Sequence, residues 1–408
     1  MNEPLSRKGE EGGQIEKGAM LRTQFVLILF LTVIFFLNFI ARIILSPLIP
    51  TIEKDVGISH GAAGSFFLLI TTGYFISLVG SGFVSSRISH RLTIIVSTIA
   101  VGLVLLSTCL TTTAWGIGMT MFALGLATGI YLPSGIATIT NLINPRQWGK
   151  ALAIHELAPN LGFVMAPITA EALMIWFPWR GVMAVIGLAS ILIGVFFIVS
   201  GRGGEMKGEK PNFGSIRSIL TKPSFWVMTA LFSLGISSSV GVYSMLPLYL
   251  VTDHEILRVH ANTLVALSRI STLITVFLGG WAADRFGATR TLTVVFILTG
   301  ITTILLGLAN TSWINLIIIL QPLVAVCFFP IGFAILSAIA PPQIRNLAVS
   351  LTIPVGFMVG AGLAPTCIGI LGDTGHFSLG FVILGASILL GSILLKFVTL
   401  RDYEGKPL

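Results

Sequence analysis

Gly280-Trp-Ala-Ala-Asp284-Arg285-Phe-Gly287-Ala-Thr-Arg290 repeats, about 198 residues downstream, the stretch Gly82-Phe-Val-Ser-Ser-Arg87-Ile-Ser-His-Arg91. Each stretch separates two long apolar runs. Two further pairs keep the same order and spacing. Gly162-Phe-Val-Met-Ala166-Pro167 matches Gly360-Ala-Gly-Leu-Ala364-Pro365, and Tyr131-Leu-Pro133-Ser134-Gly135 echoes Phe329-Pro330-Ile-Gly332. Self-similarity at one fixed offset marks a duplicated unit.

The unit is set by the apolar runs around these motifs. The 408 residues are 54% hydrophobic and only 10% charged, whereas a soluble domain carries about 25% charged residues. Runs lie near 25–49, 61–84, 92–112, 115–143, 151–175 and 181–200, and again near 225–250, 261–283, 291–309, 312–339, 347–371 and 377–399. Each is long enough to cross a ~30 Å hydrocarbon core as a helix. Lipid offers no partner to an open strand edge, and the alternation of a membrane barrel is missing. The expected fold is an all-α integral membrane protein of twelve transmembrane helices in two pseudo-symmetric six-helix bundles. Residues 25–200 form the first bundle and 225–400 the second. The polar stretch 201–224 is the linker between them, and 1–24 and 401–408 are tails. This composition excludes a disulfide scaffold, a disordered chain and a water-soluble enzyme. Cys109, Cys327 and Cys367 all fall in apolar runs and read as packing residues.

Lys and Arg give the orientation. Arg7, Lys8, Lys17, Arg22, Arg87, Arg91, Arg146, Lys150, Arg202, Lys207, Lys210, Arg217, Lys222, Arg285, Arg290, Arg345, Lys396, Arg401 and Lys406 fall on one face; only Lys54, Arg180 and Arg258 fall on the other. Both termini are therefore expected in the cytoplasm. The net charge of +8 is an insertion signal rather than a nucleic-acid footprint. The first 24 residues do not resemble a cleavable signal peptide.

The Gly-x-x-x-Asp-Arg-x-Gly-x-x-Arg loop at Gly280–Arg290, inside a twofold-repeated set of twelve spans, resembles the major facilitator superfamily over roughly residues 23–400. The resemblance implies a secondary transporter whose halves rock about a midplane site. It also implies that the loop latches the cytoplasmic helix ends, through Asp284, Arg285 and Arg290 and their first-half counterparts Arg87 and Arg91. The first copy has Ser86 and Ser89 in place of the acid and the glycine. Asn38-Phe-Ile-Ala-Arg42 looks like the first helix of anion-transporting branches, which often carry Asp-Arg there; here Ala41 replaces the acid.

Ionisable groups inside spans are expensive, about 2.5–3.5 kcal/mol each, and so are functional candidates. Arg269 lies nine residues past His260, about 13 Å below the outer end of its span. It reads as a substrate ligand that grips a carboxylate or phosphate with its planar fork. The alternative is pairing with a distant acid such as Glu156, or with backbone carbonyls. Arg42, with Asn38 on its face, reads either as a second anion contact or as a side chain snorkelling to the outer headgroups. Glu156 is the only carboxylate well inside a span and shares a face with Asn160. With His155 it forms either a proton-coupling pair or, through Arg146, part of a gate. Pro159 stands where a zinc-protease motif needs its second histidine, so no metal is expected. Tyr131, Tyr243 and Gln321 are further cavity candidates, and Trp179-Arg180 reads as an interfacial anchor.

The expected function is secondary active transport of a small organic anion coupled to H+, in the cell membrane (the inner membrane in a bacterium). The chain is expected to act as a monomer in the lipid bilayer, without cofactor, nucleic-acid partner or enzymatic activity. A drug/proton antiporter is the alternative, and a non-transporting membrane sensor the third reading.

Overall fold

The computed structural model describes residues 25–208, 219–338 and 345–397. The tails 1–24 and 401–408, the middle of the 201–224 linker, and Arg7, Lys8, Lys17, Arg22, Lys210, Arg217, Arg401 and Lys406 lie outside the described residues. So do the side chains of Arg146, Arg345 and Lys396.

Among the described residues, twelve helices are long and apolar enough to cross a membrane. They are α1 Phe25–Val56, α2 His60–Arg87, α3 His90–Cys109, α4 Ala114–Leu142, α5 Trp148–Met174, α6 Trp179–Ser200, α7 Pro223–Thr252, α8 Arg258–Phe286, α9 Ala288–Leu308, α10 Ile314–Ser337, α11 Ala348–Asp373 and α12 Phe377–Leu395. Each apolar run of the sequence overlaps one of them. The outward-facing side chains, among them Leu192, Val199, Ile274 and Phe277, make the apolar surface a bilayer requires. Short connections end the helices with ordinary caps. Gly57, at φ +70°, closes α1 with its N–H on Glu53 O, and Ser59 Oγ accepts the Ala62 N–H at the start of α2. An even number of crossings brings Phe25 and Leu395 to one face, here the terminal face; the opposite one is the distal face.

The duplication is visible in the packing. Helix α3 lies on α6 and α9 lies on α12, each through a pair of glycines, Gly102 with Gly187 and Gly300 with Gly385. A Cβ on Gly102 would sit 2.5 Å from Gly187 O, and one on Gly385 2.7 Å from Gly300 O, so neither pair tolerates a side chain. Between the halves, α2 packs on α11 and α5 on α8, contacts that the repeat exchanges, and α1 meets α7.

Helices α2, α3, α6, α9 and α12 are continuous. The others are interrupted within the span. Helix α1 turns at Ile44, α4 at Ile130, α5 at Glu156, α8 at Ser271 and α10 at Val326. Helices α7 and α11 contain π turns at Ser237–Gly241 and Met358–Leu363, which touch each other. Interrupted helices re-aim backbone groups where a bundle builds a site.

The halves are clasped at the distal face. Arg258 Nη2 pairs with Glu171 Oε2 at 3.1 Å, and Asn262 donates to the same carboxylate. Asp373 Oδ2 accepts from Ser59 Oγ at 2.8 Å and from the Gly61 N–H at 3.1 Å. Two expectations are corrected here. Trp179 is 2% exposed, and its Nε1 donates to Asp55, which also pairs with Arg180; the two residues tie α6 to the end of α1 instead of anchoring at headgroups. Cys367 is exposed on the outer surface rather than packed.

Candidate functional site

Arg269, two residues before the break in α8, is 3% exposed and points inward. Its Nη2 donates to Ser239 O at 2.9 Å and its Nη1 to Ser239 Oγ at 3.3 Å, both on the π turn of α7. The rings of Phe163 and Tyr243 flank the guanidinium, with centroids 5.0 and 5.1 Å from Cζ. The buried Nε has no partner, and no carboxylate lies within ion-pair reach among the described residues. Backbone contact thus satisfies one edge of the fork. Pairing with Glu156 does not occur.

Arg42 does not snorkel. It is 8% exposed, with Cζ 4.5 Å from the Tyr74 centroid and 5.1 Å from that of Phe39, and its Nε is also buried without a partner. Tyr74, on α2, holds the cation over its face and away from the distal headgroups. The two arginines are joined by aromatic rings. Phe39 meets Phe163 edge-on at 5.1 Å, and Phe163 meets Tyr243 at 5.0 Å. The Tyr243 hydroxyl is a third buried group with no partner. One site therefore gathers residues of α1, α2, α5, α7 and α8 from both halves.

Other candidates support this site from outside. Asn38 Nδ2 donates to Thr128 O at 3.2 Å, beside the break in α4. Gln321 Nε2 donates to Ser238 O at 2.8 Å and to Thr303 Oγ1 at 3.2 Å, bracing the π turn that holds Arg269.

His155 and Glu156 form a second cluster within the first half. His155 is wholly buried and stacks on Phe35 at 4.5 Å. Tyr131 gives its single hydroxyl proton to Leu31 O at 2.7 Å, so its oxygen accepts from His155 Nε2 at 3.1 Å. His155 Nδ1 is then left with a lone pair. It has no hydrogen-bond partner and lies 3.7 Å from Glu156 Oε1. Glu156 itself is not the buried acid that its place in the sequence implies: at the α5 break its side chain is 53% exposed. Asn160 Nδ2 donates to Glu156 O at 2.9 Å, within α5. Tyr131 and Asn160 make these contacts and none of them is to either arginine.

Among the described residues, the latch residues do not pair with one another. Asp284, Arg285 and Arg290 are exposed, and Asp284 has no ion pair among the described residues; Arg285 lies over Trp281 and Phe286. Arg87 is exposed, whereas Arg91 reaches Glu205 at 3.6 Å and Ile198 O at 2.9 Å. The start of the linker closes on this loop through Arg91 N to Gly204 O and His90 N to Met206 O.

Phe39, Tyr74, Phe163 and Ser239 are site residues that reading the sequence missed. Phe39 carries a local signal, lying three residues before Arg42 on the same helical face. The other three reach the arginines only through packing.

Comparison with known proteins agrees with this architecture. The model of the Major Facilitator Superfamily matches residues 31–268 and 246–408. The membrane sensor protein UhpC of Escherichia coli K12 is 24% identical, over 85% of this chain and 85% of its own. The probable L-galactonate transporter of the same organism is 21% identical, over 93% and 89%. Among solved structures, a bacterial homologue of the human lysosomal transporter Spinster, inward-facing and occupied, superposes with a TM-score of 0.79 at 15% identity, covering 91% of this chain and 96% of that one. With twelve spanning helices and a family match along almost its whole length, the chain is a multi-pass membrane protein that belongs to the major facilitator superfamily of secondary transporters.

Proposed function

We propose that the protein carries a small organic anion across the membrane by alternating access, coupled to protons. The observation that supports this most is the pair Arg42 and Arg269, each buried, each with an unpartnered Nε, and neither neutralised by an acid. Two desolvated cations with free donors favour an anionic guest that supplies both charge and acceptors. A lipophilic cation, the cargo of the antiporter reading, would meet like charge there. The contacts between the halves at the distal face match a carrier closed on that side. The cation distribution supports a cytoplasmic location for the terminal face.

Proton coupling rests on the His155–Glu156 pair. A proton held between Nδ1 and Oε1 would complete the chain Leu31 O, Tyr131, His155, Glu156, and it would change the charge at the α5 break. The test is uptake of labelled carboxylates by proteoliposomes with and without an inwardly directed proton gradient, acidic outside. Gradient-driven uptake that Arg269→Gln and Arg42→Gln abolish is the expected result. Glu156→Gln is expected to keep anion exchange while losing accumulation. Transport that is normal in both arginine variants would end the anion reading. The resemblance to UhpC favours a second reading, a sensor, whose mark is anion binding without flux in the same vesicles.

A further inference from the structure

We infer that the site selects a carboxylate carried on a flat apolar body and rejects polyhydroxylated acids, with Phe163 as the residue that sets the selection. The inference rests on the anion reading above and adds the substrate class.

Phe163 is the centre of the site. It touches the Arg269 guanidinium, the Tyr243 ring and the Phe39 ring, which in turn lies against Arg42. Whatever binds between the two cations rests on ring faces and edges. Such surfaces stack well with a planar apolar group and offer nothing to a hydroxyl.

The polar groups around the arginines are already engaged. Ser46 donates to Tyr243 O, Ser237 to Ser233 O, Ser244 to Val240 O, Ser268 to Val265 O and Thr272 to Arg269 O. The Asn38 and Gln321 amides donate to backbone carbonyls as well. The buried groups left without a partner here, the two Nε–H groups and the Tyr243 hydroxyl among them, are donors. They suit a carboxylate, which only accepts, better than a hydroxyl, which must also find an acceptor for its own proton. A sugar acid of five or six carbons brings several hydroxyls, and each one buried without a partner weakens binding.

The experiment uses the full chain in lipid nanodiscs, with benzoate and gluconate as probes and their dissociation constants measured by calorimetry. Benzoate is expected to bind about 100-fold more tightly than gluconate. Phe163→Ala is expected to lower that ratio about tenfold, and a ratio of two affinities in one sample is insensitive to partial loss of folded protein. Gluconate binding as tightly as benzoate, or a ratio unchanged in Phe163→Ala, overturns the selectivity while leaving the anion reading in place. Failure of both acids to bind overturns the two together.

Discussion

Arg269 illustrates how function and stability oppose each other at a single residue. A buried guanidinium held by one serine and two rings is not compensated, and replacing such a charge with an apolar group of similar volume often stabilises by about 1–4 kcal/mol. Arg269→Met is therefore expected to raise the thermal unfolding temperature in detergent while abolishing anion binding. A variant that both loses stability and keeps its affinity would show that the cation has a structural role. Position and depth made Arg269 and Arg42 legible in the sequence, because an ionisable group in a span has few structural uses. Their environment was not legible. Snorkelling by Arg42 was excluded only by Tyr74, which is thirty-two positions away in sequence and on another helix.

At the scale of the element, glycine sets how closely the helices approach. Gly125 faces α2 so closely that a Cβ would overlap Ile70 O, a backbone atom that cannot move aside, whereas Gly80 has nothing within 4 Å of its Cβ position. Gly125→Ala should destabilise by about 1–3 kcal/mol through overpacking. Gly80→Ala should be neutral or stabilise by up to about 1 kcal/mol through helix propensity. Thermal unfolding of the two variants side by side checks the contrast, and equal effects would contradict the packing described. The pairs Gly102/Gly187 and Gly300/Gly385 recur at the same offset as the loop motifs, so that part of the packing was open to a sequence search. The π turns of α7 and α11 were not, because no residue type marks them; Ser237-Ser-Ser-Val-Gly241 reads as ordinary helix.

Across the whole molecule, contacts between the halves clasp the distal face. Arg258 bridges the halves through Glu171, so Arg258→Ala leaves a partly buried carboxylate with the Asn262 amide but no cation in the distal-closed state only. The variant should shift the population toward distal-open arrangements by about tenfold, a coupling of ~1.4 kcal/mol. Spin labels placed across the distal face would read the shift as longer distances. An unchanged distribution would mean that the contacts of Asn262 and Asp373 suffice to close the face.

Hydropathy and internal repetition determined the twelve crossings, the division into halves and the depth of the two arginines, because lipid imposes length and composition directly on each span. Which side chains face one another depends on helix rotation, on mid-span breaks and on the contact between halves, and those are properties of the assembled bundle. The same reason exposes Glu156 at a break where its position in an apolar run implied burial. It also makes Phe163, unremarkable in a chain of 27 phenylalanines, the floor of the site.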